Sequence, residues 1–93
     1  MAEFSEALAQ IARLLGDDRL RQASREEVRA SMASRFGRLV EGLIDEAMAS
    51  DDVIDRESAL AFLDDRLSFL GSLLSDDERS RLREALQEKI ESW

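Results

Sequence analysis

The chain has 93 residues, 44% hydrophobic and 37% charged, with no Pro, Cys, His or Tyr and a net charge of −8. That composition describes one helix-rich globular domain, too short for two domains and too apolar for disorder. The absence of Cys and His excludes disulfides, thiolate and imidazole metal sites, thiol nucleophiles and the commonest general base.

The first helix spans about Glu3 to Leu15. Phe4, Leu8, Ile11, Leu14 and Leu15 recur at three- and four-residue spacing and so share a face, and Gly16 follows as a stop signal. Asp17 to Ala23 reads as a polar connector anchored by Leu20. Ser24-Arg25-Glu26-Glu27 has the form of a capping box and opens a long second helix to about Ala49. Its stripe is Val28, Met32, Phe36, Leu39, Leu43 and Ala47, widened by Val40 and Ile44. Gly37 and Gly42 lie inside it, each costing about 1 kcal/mol relative to Ala, which points to a bend or a close backbone approach. Ala33 and Gly37, one turn apart, are the expected place of close packing.

Ser50 to Asp55 breaks the chain again, with Asp52 or Asp55 as N-cap of a third helix from about Arg56 to Leu70. Leu60, Leu63, Leu67 and Leu70 form its stripe, broadened by Phe62 and Phe69, and Gly71 ends it. Ser75-Asp76-Asp77-Glu78 is a second capping box, and Leu82, Ala85, Leu86, Ile90 and Trp93 mark the face of a last helix from Asp76 to about Glu91. The expected fold class is therefore all-α. It is a compact bundle of four helices (about 3–15, 25–49, 56–70 and 76–91), five if the second breaks near Gly37 or Gly42, with antiparallel neighbours in a single domain over 1–93.

Motif chemistry is thin. Asp51, Asp52, Asp55 and Glu57 are the densest acidic loop. A calcium loop started at Asp51 or Asp52, however, puts Phe62 or Leu63 where a Glu is required and has no Gly. N-capping and charge–dipole stabilisation of the third helix is the expected role. Asp64 and Asp65, adjacent on a helix, diverge by about 100° and cannot converge on one atom. The abundant Ser residues have no His to activate them. A helix-turn-helix reading of 69–83 would aim Asp76, Asp77 and Glu78 at phosphates. No catalytic residue, cofactor or metal is expected.

Residues 17–38 carry a charge of +2 against −9 for residues 39–93. The six arginines Arg19, Arg21, Arg25, Arg29, Arg35 and Arg38 read either as a phosphate-binding strip or, the expected case, as partners for the acidic body. Arg29 sits at the edge of its helix stripe, where its guanidinium is placed to meet an acid at the rim of the core.

Within 43–67, Ala47, Ala49, Asp51, Asp52, Ile54 and Glu57 form a small-residue helix end, an acidic turn with an apolar anchor, and a Glu opening the next helix. This stretch, about a quarter of the chain, resembles the tellurite-resistance type of helical domain. Asp52 stands where that pattern has a Gly, and no family is assigned on it.

Two functions follow as expectations. The first is a non-catalytic protein–protein interaction or regulatory protein: an adaptor, an inhibitor or a small subunit of an assembly. It associates with itself as a homodimer through Ala33, Phe36, Gly37, Val40 and Ile44. The alternative is an acidic nucleic-acid mimic that inhibits a DNA- or RNA-binding protein, presenting Asp51, Asp52, Asp55, Asp64, Asp65, Asp76 and Asp77. Neither involves direct nucleic-acid binding, which the net charge opposes. The chain opens without a basic segment leading into an apolar core, and no apolar run nears the roughly 20 residues that span a bilayer. A cytoplasmic location without a membrane partner is the expectation.

Overall fold

Apolar residues at helical spacing and capped helix starts produce five α-helices among the described residues. They are α1 (Ala2–Leu15), α2 (Arg25–Ser34), α3 (Phe36–Ala49), α4 (Arg56–Phe69) and α5 (Asp76–Glu91). The computed structural model describes residues 2–92, except for the side chains of residues 2–4 and 72. The Phe4 side chain and Trp93, both placed on helix stripes by periodicity, lie outside the described residues. Short 3-10 turns, Asp18–Gln22 and Gly71–Leu73, join α1 to α2 and α4 to α5. No strand occurs among the described residues, and the fold is an all-α bundle measuring 36 × 25 × 20 Å.

The chain ends α1 with Gly16 at φ +67°, the left-handed conformation that a side chain resists. The Asp17 N–H then donates to the Ala12 carbonyl at 2.9 Å and the Gly16 N–H to that of Arg13 at 3.3 Å, satisfying carbonyls left over at the helix end. Leu20 anchors the connector in the core. The Ser24 hydroxyl caps α2 by accepting from the Glu27 amide. Among the described residues the full reciprocal box forms at Ser75–Glu78 and at Asp55–Ser58, not at Ser24.

The sequence-based second helix is interrupted. Arg35, at φ −118° and ψ 36°, leaves helical geometry two residues before Gly37 and divides α2 from α3. A continuous helix over 25–49 would be about 37 Å long, the full length of the molecule. The break lets α2 bury Val28 and Met32 while α3 turns to bury Leu39, Val40, Leu43, Ile44 and Ala47. α3 is the centre of the bundle, with α1, α2, α4 and α5 all packed against it.

The close approach also lies elsewhere than expected. A Cβ placed on Gly37 meets nothing within 4 Å, whereas one on Gly42 lies 3.1 Å from Leu14 Cδ2 and 3.2 Å from the Leu14 carbonyl oxygen. Gly42, not Gly37, is what lets α1 settle onto α3.

Polar groups also tie the helices together. Gln10, the one buried polar residue among those described, donates to Glu46 Oε2 at 3.0 Å and accepts from Arg66 at 3.3 Å. Arg13 reaches the other Glu46 oxygen at 2.6 Å, and Arg66 lies over the Phe62 ring at 5.0 Å. Every buried side-chain polar atom among the described residues has a partner. The cluster joins α1, α3 and α4 as a structural clasp.

Candidate interaction surface

A groove runs along the outside of the bundle where the α2–α3 junction and α3 face α5. At its upper end is a small cleft of about 80 Å³ lined by Met32, Ala33, Phe36, Leu39, Leu74 and Leu82 together with Glu78 and Arg81. Phe36 is shared with the next depression, which adds Gly37, Val40, Glu41, Ala85, Glu88 and Lys89. Glu41 and Lys89 are shared with the last, which reaches Ile44 and Asp45.

The five residues expected at a docking face thus all border one groove, but with unequal access. Ala33 and Gly37 are exposed and Phe36 is half-buried. Val40 and Ile44 are only 4% and 8% exposed, so they belong to the chain's own core and contribute the groove floor. The Arg81 guanidinium stands 5.9 Å from the Phe36 ring centroid, so a cation partly covers that face of the ring.

Charge along this groove is mixed. Arg81 and Lys89 come from α5, opposite Glu41 on α3, with Glu78 and Glu88 beside them. Glu78 is itself fixed: its Oε1 accepts from the Ser75 amide at 2.8 Å and from Arg29 at 2.7 Å. The Ser75 backbone N–H is the main reason its carboxyl is held below the usual range, with the Ser75 hydroxyl and Arg29 adding to the effect. Arg29 therefore meets a rim acid and clamps α2 onto the start of α5.

The arginine-rich segment is largely engaged within the chain. Arg19 chelates Asp17 through two bonds of 3.1 Å, Arg35 lies 3.6 Å from the same carboxylate, and Arg21 is 3.7 Å from Asp18. The Arg19 side chain foremost holds the Asp17 carboxyl below its ordinary value. Arg19, Arg21, Arg29 and Arg35 are thus paired with carboxylates of the same chain.

The acidic residues of the alternative reading fall at separate places along α4. Asp51, Asp52 and Asp55 lie before α4, whereas Asp76 and Asp77 open α5 beyond its other end, about 20 Å away along the 14-residue helix. Between them Asp64 pairs with Arg83 at 3.1 Å, and Asp65 is exposed. No group of three or more carboxylates among the described residues is arranged to hold a metal ion, and no helix among them is long and apolar enough to cross a membrane.

Sequence reasoning missed the Gln10–Glu46–Arg66 clasp, because nothing in residue spacing marks Gln10 as buried. It also missed Leu74 and Arg81 as groove residues, since they join the cleft only through the fold. No protein-family model, curated protein or solved structure matches the chain.

Proposed function

We propose that this chain is a non-catalytic protein–protein interaction and regulatory module, acting as an adaptor, an inhibitor or a small subunit of an assembly. In this reading it pairs with a second copy of itself across the α3–α5 groove. One observation carries the proposal: accessible apolar surface at Ala33 and Phe36 coincides with charge of both signs, Arg81 and Lys89 beside Glu41 and Glu88, on a chain of net charge −8. Two such chains repel over most of their surfaces. At a two-fold interface centred on this groove, Lys89 of one copy faces acids of the other, and the apolar floor is covered. The open space over Gly37 leaves room for a side chain of the second copy.

Sedimentation equilibrium over a concentration series tests this directly, with the native chain beside Gly37→Arg. The added side chain enters open space, so the variant folds, and it lowers the repulsion between copies by making each less negative. The expected result is a concentration-dependent dimer for the native chain and a monomer for the variant, which keeps its helical circular dichroism. A native chain that stays monomeric, or a variant that dimerises equally well, overturns the proposal.

A further inference from the structure

The corner between α3 and α4 differs from the groove in both shape and charge. Met48 in the last turn of α3 is 66% exposed, and Ile54 just before α4 is 85% exposed. A loose backbone is not the cause. The Ile54 and Asp55 N–H groups both donate to Ser58 Oγ, at 2.8 and 3.0 Å, and the Ser58 N–H returns to the Asp55 carboxylate at 2.8 Å. On the other side of the turn, the Asp52 and Val53 amides donate to Ser50. Ile54 occupies the position from which an apolar side chain ordinarily staples onto the first turn of a helix. Its exposure shows that no staple forms here. The turn therefore holds an Ile in solvent on a fixed backbone, six residues after an exposed Met, whose flexible thioether adapts to varied partners.

The rim of this corner is acidic. Asp51, Asp52, Asp55 and Glu57 form no ion pair with any other described residue and outnumber Arg56, the cation among them in the chain. That charge selects the occupant. A second copy would bring like charge onto like, and nucleic acid and anionic lipid are repelled for the same reason. A cationic, partly apolar protein segment satisfies both features at once. We infer that the α3–α4 corner docks a basic amphipathic helix of a partner protein, with aliphatic side chains on Met48 and Ile54 and Lys or Arg against Asp51, Asp52 and Asp55.

The test is an amide NMR titration of the full chain with two synthetic peptides of equal length and positive charge. One has Leu and Lys at amphipathic helical spacing, and the other has each Leu replaced by Ser. At about 150 mM salt, where surface charge is screened beyond about 8 Å, the Leu peptide should bind at least about tenfold tighter. Its shifts should centre on residues 45–57. The double variant Met48→Ser/Ile54→Ser should bind it no better than the Ser peptide, with Ile54→Ser alone as the fallback if the pair lowers the melting temperature. Equal binding of the two peptides, shifts centred elsewhere, or full affinity in the variants overturns the inference.

Discussion

Gly37 and Gly42 sit five residues apart on one helix, yet the space over them differs. Over Gly37 there is room for a methyl group, so Gly37→Ala should raise stability by about 0.5–1 kcal/mol through the lost freedom of the unfolded chain. At Gly42 the same methyl presses on the Leu14 carbonyl, which the end of α1 holds in place, so Gly42→Ala should gain less than Gly37→Ala or lose stability. Urea unfolding of the two variants reads this difference directly. Caps give a second comparison at this scale. Ser24→Ala should cost about 1 kcal/mol at any pH, because a hydroxyl does not titrate. Asp55→Ala should destabilise at neutral pH but less in acid, because the Ser58 backbone N–H holds the Asp55 carboxyl below its usual value. A depressed carboxyl stabilises fully above its unfolded-state pKa of about 4, and the contribution disappears as pH falls through the folded value. Asp17 and Glu78 share the direction, so the native chain should lose stability on acidification through this range.

Between elements, the strongest polar link is the clasp on Glu46. Glu46→Ala removes the hydrogen-bond acceptor of Gln10 and Arg13 and the ion-pair partner of Arg66, and leaves the Gln10 side-chain N–H unpaired, for an expected loss of about 1–3 kcal/mol. Asp64→Ala breaks only the half-exposed pair with Arg83 and should cost under about 1 kcal/mol. Denaturant midpoints for the two variants check that order. Helix identity was legible in the sequence because capping serines, Asp55 and apolar spacing are local signals. The break was legible only in part: Gly37 marked it to within two residues of Arg35. Val28, Met32, Leu39, Leu43 and Ala47 keep helical spacing straight through it, so the periodicity has no phase shift to mark the change of direction. The groove was legible only in part. Spacing put Phe36, Val40 and Ile44 on one stripe, but which of them the neighbouring α5 would cover depends on tertiary packing. Accordingly Val40 and Ile44 became core, while Ala33, Phe36 and Gly37 stayed accessible.

Taken as a whole, a chain of 93 residues buries only about 60–65% of the surface its unfolded form exposes, so the proposed pairing would add to a thin margin. Net charge of −8 opposes that pairing at long range, while the groove's own mixed charges act at contact. Raising salt from about 10 to about 150 mM shortens the screening distance from about 30 to about 8 Å and should therefore strengthen the dimer. Sedimentation at the two ionic strengths measures the change. The location of the interface is tested most directly by pulsed electron spin resonance, which the absence of native cysteine makes clean. One spin label is placed at Ser34→Cys, beside the groove, and in a second sample at Asp51→Cys, about 20 Å away along α3. A two-fold interface centred near Gly37 predicts an intermolecular distance in both samples, with the Ser34 pair the shorter. No intermolecular coupling, or a shorter distance at Asp51, would contradict pairing through the α3–α5 groove.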